Sequence, residues 1–180
     1  MVYLFLAEGF EEIEALTPLD ILRRADINVK TVGIGGKIIT GAHSIPVTAD
    51  ITVDEVDFEN IDAVILPGGM PGTLNLKANE TVIKAVLTAN NCGKLVAAIC
   101  AAPSILGGLG LLDNREAICY PGFEDELKGA VISKNNLAVS GNIITAAGAG
   151  VAAEFGFEIL NYLTGRSDKS AQLKTAMKYI

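Results

Sequence analysis

A short apolar run that ends at a cysteine constrains the fold of this chain more than any other stretch. Residues 95–99 are Leu-Val-Ala-Ala-Ile, which is typical of a strand buried on both faces of a parallel sheet. Cys100 follows, and Pro103 stands where the first turn of a helix begins. The pattern predicts a nucleophile elbow with cysteine in place of serine, at the edge where open α/β sheets bind ligands. The alternative is a small buried cysteine that only fills space.

Strand patterns alternate with helical patterns along the rest of the chain. Apolar runs predict strands at residues 2–7, 27–32, 62–66, 95–99 and 143–147, and shorter ones at 117–120 and 137–139. Helical spacing covers residues 10–25, 79–89, 151–163 and 167–178, while residues 33–46 indicate a hairpin. The alternation predicts one α/β domain over residues 1–180, with a mostly parallel sheet covered by helices on both faces.

Charge and cysteine count exclude several classes of protein. The formal net charge of −7 argues against a nucleic-acid partner, because phosphate contacts need clustered Lys and Arg. No run of about 18 apolar residues is present, and residues 1–7 lack the basic flank of a signal peptide. We therefore expect a cytoplasmic protein without a membrane partner. Its three cysteines should be reduced, and the roles of Cys92 and Cys119 stay open.

Glu14 is the second candidate catalytic residue. At helical spacing it shares a face with Phe10, Pro18 and Ile21, so it interrupts an apolar stripe. Burial disfavours the charged form of a carboxyl, and a protonated Glu14 could donate a hydrogen bond to a thiolate. A helix N-terminus would lower the pKa of Cys100 and favour its thiolate. The alternative is a glutamate whose side chain reaches solvent.

Further candidate residues stand in turns that follow predicted strands. Gly68 and Gly69 let backbone N–H groups approach a ligand closely, and with the amide of Ala101 they could form an oxyanion hole. Gly148 could line the same pocket, and the Tyr120 hydroxyl could position a polar substrate. Plain turns and a core tyrosine are the alternatives. No Gly-Lys-Ser/Thr motif follows, so a phosphate loop is not indicated.

Three motifs carry a resemblance to a known family. They are Ala-Glu-Gly-Phe-Glu-Glu-Ile-Glu at residues 7–14, Leu-Pro-Gly-Gly at 66–69 and Ala-Ala-Ile-Cys-Ala-Ala-Pro at 97–103. In sequence, order and spacing they resemble the ThiJ/PfpI superfamily and, within it, the DJ-1 branch, over essentially the whole chain. The resemblance implies a flavodoxin-like three-layer α/β/α sandwich, usually a homodimer.

The resemblance also implies roles for individual residues. Cys100 is implied to be the reactive thiol and Glu14 the protonated acid beside it. The residues implied to surround the site are Gly68, Gly69 and the amide of Ala101.

Three departures from the family pattern weaken a peptidase function. Protease-like members carry a histidine directly after the nucleophile, where this chain has Ala101. Members of the DJ-1 branch often have a histidine where this chain has Tyr120, and an arginine that commonly reaches the partner's site falls at His43. Because His43 is the single histidine, any Cys–His pair within one chain would have to use it. It is a candidate cross-subunit residue.

The sequence leaves two function classes open. In the first, the Cys100 thiolate attacks methylglyoxal, glyoxal or a glycated adduct, and Glu14 relays the proton, as in a deglycase or glyoxalase. In the second, Cys100 of a redox-sensing, stress-protective chaperone oxidises to a sulfinate that Glu14 holds. A role in thiazole or thiamine biosynthesis lacks a phosphate-binding motif. We expect a homodimer that needs no metal or cofactor.

Overall fold

The computed structural model describes residues 1–179 as strands and helices in alternation. The strands are β1 (Val2–Leu6), β2 (Val29–Gly33), β3 (Ile38–Thr40), β4 (Pro46–Thr48), β5 (Ile51–Thr52), β6 (Ala63–Leu66), β7 (Leu95–Ile99), β8 (Glu116–Ala117), β9 (Val131–Ile132), β10 (Leu137–Ser140) and β11 (Ile143–Ala146). The helices are α1 (Glu12–Arg24), α2 (Gly72–Ala78), α3 (Glu80–Asn91), α4 (Pro103–Gly108), α5 (Ala152–Thr164) and α6 (Ser167–Ala176).

The central sheet has seven strands in the order β10-β11-β7-β6-β1-β2-β5. Strand β10 pairs with β11 in the antiparallel sense, and the other neighbours pair in parallel. The predicted mostly parallel α/β sheet is therefore confirmed. Its parallel strands end at one edge, so the turns after β1, β6, β7 and β11 meet there.

Apolar side chains on both faces of the strands build two cores. Along β1, Val2, Leu4 and Leu6 enter one core, while Tyr3 and Phe5 enter the other. Helices α1 and α5 pack on the first face, and α2, α3 and α4 pack on the second. This gives the three layers of a flavodoxin-like sandwich and explains why these strands lack the polar alternation of a half-exposed sheet.

Helix α1 packs closely on α5, and its first turn lies near the carboxyl edge of the sheet. A Cβ added at Gly156 of α5 would lie 2.9 Å from Pro18 Cα and 2.9 Å from Ile21 Cδ1, so only glycine fits this crossing. The two helices bury the apolar stripe that the sequence predicts for α1. No helix within residues 1–179 is long and apolar enough to span a membrane.

The elements differ from the sequence prediction in several places. Helix α2 was not expected, because it is short and begins after two glycines and a proline. The hairpin predicted at 33–46 is present as β3 and β4, which pair antiparallel. The strand predicted at 117–120 is wrong beyond Ala117, because the Tyr120 N–H donates to Cys100 O (2.8 Å) and the chain turns toward the site.

Candidate active site

Cys100 lies at the sharp turn between β7 and α4. Its φ of +65° is in the left-handed region, which a residue with a side chain adopts only when its surroundings hold it there. Two backbone hydrogen bonds do so: Cys100 N–H donates to Ala146 O (2.8 Å), and Cys100 O accepts from Tyr120 N–H (2.8 Å). The thiol is half-buried at the carboxyl edge of the sheet, in the geometry of the predicted elbow.

Glu14 reaches the same point from the first turn of α1. It is only 1% exposed, so the alternative of a side chain in solvent does not hold. Three hydrogen bonds form a closed ring around it. Gly68 N–H donates to Glu14 Oε2 (2.9 Å), Glu14 N–H donates to Glu11 Oε2 (2.7 Å), and Glu11 N–H donates to Gly68 O (3.0 Å). The carboxyl position is therefore set by α1 and by the turn after β6 together.

The thiol and the carboxyl face each other across Gly68. A Cβ at Gly68 would lie 2.7 Å from Glu14 Oε2, 2.7 Å from Cys100 Cβ and 3.1 Å from Cys100 Sγ. Gly69 has φ +90°, and a Cβ there would lie 2.5 Å from Glu11 N. Both glycines are required so that α1 and the cysteine turn can approach this closely.

The charge distribution in the pair differs from the sequence expectation. Burial raises the pKa of the Glu14 carboxyl to about 7, and the charge of Glu11 adds to it. Burial also raises the pKa of the Cys100 thiol to about 12, with the Glu14 charge as the second cause. Burial and the neighbouring carboxylate thus act against the lowering expected from a helix N-terminus, and the amides near the sulfur offset only part of their effect.

The two groups share protons, so they titrate as a pair. The value for the thiol applies when Glu14 already carries its charge, since that charge is one of its causes. Once the first proton has left, the pair holds one proton and one negative charge. Thiol with carboxylate and thiolate with carboxylic acid are two placements of this one proton.

Backbone amides stabilise negative charge on both members of the pair. The amides of Ala101 and Gly69 face the sulfur and work to lower its pKa. The amides of Gly68 and Ala149 do the same for the carboxylate. Gly68 N–H is thus engaged by Glu14, whereas it was predicted for an oxyanion. The sequence did not lead us to predict a role for the Ala149 amide. The glycines on either side of it were the feature that could have indicated one.

Tyr120 and Gly148 lie beside the carboxyl. A Cβ at Gly148 would be 3.4 Å from Tyr120 Cδ2 and 3.8 Å from Glu14 Oε1. Tyr120 is 52% exposed, so it is not a core tyrosine. The two residues line an open cavity of about 340 Å³, whose other lining residues are Pro121, Asn136, Ala147, Ala149, Gly150 and Val151.

His43 lies away from the thiol, in the loop between β3 and β4. Its Nδ1 is 2.8 Å from Glu12 Oε2 of its own chain, which raises the pKa of the imidazole. Burial works to raise the pKa of Glu12, but the hydrogen bonds from His43 outweigh it and hold that pKa below 4.5. A cross-subunit contact of His43 stays a prediction.

The other two thiols lie outside the site. Cys92 is exposed at the end of α3. Cys119 is buried in the core on the opposite face of the sheet from Glu14. Burial, and then the charge of Glu124, raise its pKa to about 11.

The sequence profile of the DJ-1/PfpI family matches residues 1–162. The chain belongs to this family. Among DJ-1/PfpI relatives, "Protein DJ-1 homolog B" of Arabidopsis thaliana is 32% identical over 164 residues, 89% of this chain but 37% of that protein. A protein of Pyrococcus horikoshii named as a deglycase is 33% identical over 149 residues, which are 81% of this chain and 89% of the relative.

Solved structures of the DJ-1 superfamily share the whole fold. A mutant of a DJ-1 superfamily protein from Salmonella typhimurium superposes with a TM-score of 0.94 at 34% sequence identity, covering 99% of this chain and 98% of the other. At this similarity the sheet order and the helical layers correspond along the full chain. The family membership and the fold class expected from the three motifs are therefore confirmed.

Proposed function

We propose that this protein is a cysteine-dependent enzyme of the deglycase or glyoxalase type, which converts methylglyoxal, glyoxal or their adducts into hydroxy acids. The observation that carries the proposal is the direct approach of Cys100 and Glu14 across Gly68, where no side chain fits. The name of the pyrococcal relative supports the same class. The reaction moves protons within the substrate and requires no metal or cofactor.

The first step adds the thiol to the aldehyde carbon. Above a pH of about 7, ionised Glu14 accepts the Cys100 proton as Sγ bonds to that carbon. The π electrons of the carbonyl move to oxygen, and the oxyanion accepts hydrogen bonds from the amides of Ala101 and Gly69. The position of these amides beside the sulfur supports this role. The oxyanion then takes the proton from Glu14, which leaves a hemithioacetal and a carboxylate.

The second step rearranges the hemithioacetal. The Glu14 carboxylate removes the proton from the carbon bonded to sulfur, which gives an enediolate, and returns it to the neighbouring carbon, while the hydroxyl proton passes from the oxygen of the first carbon to that of the second. The product is a thioester of a hydroxy acid, and water cleaves its C–S bond to restore the Cys100 thiol. One water is consumed, the aldehyde carbon is oxidised and the adjacent carbonyl carbon is reduced, so no external oxidant is needed.

The test is steady-state loss of methylglyoxal by the purified protein. We expect saturable turnover that Cys100→Ser and Glu14→Gln each lower by about a hundredfold or more, because each removes one partner in proton transfer. Cys119→Ser is the matched control and should keep its rate, since this thiol lies in the opposite core. Absence of turnover together with stoichiometric consumption of peroxide at Cys100 would favour the redox-sensing alternative instead.

We also propose that the chain acts as a homodimer. Ile13 of α1 is 54% exposed although its neighbours Glu12 and Glu14 are buried, so α1 presents an apolar side chain away from its own sheet. Sedimentation equilibrium at micromolar concentration should give twice the 18.8 kDa mass of one chain, and a single 18.8 kDa species would contradict the dimer.

A further inference from the structure

Glu12 is a buried carboxylate whose two oxygens are both bound by one residue. Its side chain is 7% exposed. Oε1 accepts from the His43 backbone N–H (2.8 Å), and Oε2 lies 2.8 Å from His43 Nδ1. Within one chain the imidazole itself is 69% exposed, whereas its carboxylate partner is buried.

The His43 loop is fastened to the segment that leads into α1. Gly9 N–H donates to Thr40 O (2.8 Å), and Ala42 N–H donates to Phe10 O (2.7 Å). A Cβ at Gly41 would lie within 2.3–2.7 Å of three atoms of the Glu12 side chain, so the loop backbone rests directly on this carboxylate. The loop therefore covers the first turn of the helix that carries Glu14.

Glu11, Glu12 and His43 form a cluster that contacts the proposed catalytic residue Glu14 through Glu11. A carboxylate oxygen of Glu11, a carboxylate oxygen of Glu12 and an imidazole nitrogen of His43 all lie within 4.8 Å of one another. The Glu11 carboxylate accepts from Glu14 N–H and its negative charge opposes ionisation of Glu14. A positive imidazole at this distance offsets part of that charge.

We propose that His43 is a positioning residue for the Cys100–Glu14 pair. Its loop holds the first turn of α1 in place, and its positive charge compensates the negative charges of Glu11 and Glu12. The proposal rests on the proposed role of that pair, but its consequences concern the ionisation of the pair and not the identity of a substrate.

The charged groups that face this cluster are few. Glu11 and Glu12 of α1 face His43, and Glu8 accepts from Thr40 N–H (3.1 Å) at the start of the same loop. Glu14 is faced by Glu11, by the Cys100 thiol and, across Gly148, by the ring of Tyr120. With all of these neighbours acidic or neutral, removal of the His43 charge raises the pH at which Glu14 ionises. Removal of the Glu12 charge also releases the proton that Glu12 holds on His43, so near neutral pH the two charges are lost together and Glu14 shifts less.

The test is the pH dependence of iodoacetamide labelling at Cys100, which needs no dicarbonyl substrate. In the unaltered protein the rate should rise as Glu14 ionises near pH 7. His43→Gln keeps a donor for Glu12 without the charge and should move the midpoint upward by about half a pH unit. Glu12→Gln should move it less, because it removes the Glu12 charge and lets His43 lose its own proton. The double variant should match Glu12→Gln, and His43→Lys, which keeps the charge, should leave the midpoint in place.

Lys37→Gln is the matched control, because it removes a positive charge just before β3 that pairs with Glu55 rather than with α1. Shifts of equal size for His43→Gln and Lys37→Gln, or an upward shift for Glu12→Gln as large as that for His43→Gln, would overturn the proposal. If the midpoints shift as expected but the protein does not turn over methylglyoxal, only the proposed function is overturned.

A second measurement covers the case in which His43→Gln does not fold. His43 is the single histidine, so its imidazole C–H resonance in a proton NMR titration is unambiguous. Because coupling between two ionisations is reciprocal, Glu14→Gln should lower the pKa of His43 slightly and Glu12→Gln should lower it more. An unchanged His43 titration in both variants would also overturn the proposal.

Discussion

Glu12 and Glu14 are buried carboxyls two residues apart on one helical turn, yet their surroundings act on them in opposite directions. Glu12 has a basic partner, and its pKa lies below 4.5 despite the cost of burial. Glu14 has a thiol, two amides and a second carboxylate around it, and burial raises its pKa to about 7. Burial alone therefore does not determine the charge of a carboxyl; the neighbouring group that shares or offsets the proton does.

The difference separates a structural role from a chemical one. The Glu12–His43 pair joins a loop to a helix, and both partners are charged over the same pH range. Glu14 is held at a charge state that changes near neutral pH, which suits a group that must accept and return a proton. Its placement also has a cost, because an ionised carboxyl without a basic partner is buried.

The largest expected effect is the loss of free energy of unfolding that ionised, buried Glu14 causes. Its folded pKa of about 7 exceeds the ordinary 4.5, so the folded state binds the extra proton and loses relative stability as pH rises from 4.5 through 7. At about 1.4 kcal/mol for each unit of pKa, the cost at pH 8 is about 3 kcal/mol. Glu14→Gln should thus gain stability at pH 8 relative to pH 4.5, as urea unfolding at the two values would show.

Glu59→Gln is the control for this experiment, because that side chain is exposed and forms no ion pair among residues 1–179. Its stability difference from the unaltered protein should be small at both pH values, because the side chain is exposed. If Glu14→Gln showed the same flat behaviour, Glu14 would be ionised at its ordinary pH and the contrast with Glu12 would fail.

The sequence predicted what depends on local pattern. The apolar runs gave β1, β6, β7 and β11, and the cysteine turn followed from the sharp change of pattern at Cys100. The place of Glu14 in an apolar stripe was visible from helical spacing alone. These features need only neighbours along the chain.

What the sequence missed depends on contacts between distant segments. The partnership of Glu12 with His43 joins residues 31 positions apart and exists only because the β3–β4 hairpin folds back onto α1. The raised pKa of Cys100 results from burial and from the Glu14 charge brought by another element. A helix N-terminus can be recognised from the local sequence, whereas burial cannot. The prediction for the pKa of Cys100 therefore gave the helix N-terminus too much weight.

A smaller effect is expected at Glu12, with a different dependence on pH. The lowered pKa of Glu12 contributes stability that is present above 4.5 and is lost as pH falls through its folded value. The raised pKa of His43 contributes stability that is present below 6.5 and is lost as pH rises through its folded value. Both contributions are complete between pH 4.5 and 6.5, where Glu12→Gln should destabilise most.

Urea unfolding of Glu12→Gln at pH 5.5 and pH 9, in low and high salt, tests this directly. The destabilisation should be greater at pH 5.5 and should shrink in high salt, because the imidazole is 69% exposed and solvent screens it. It should stay well below the Glu14 effect for the same reason. A destabilisation independent of both pH and salt would mean that Glu12 acts only as a hydrogen-bond acceptor for the loop. The two carboxyls would then differ in packing and not in the charge of their partners.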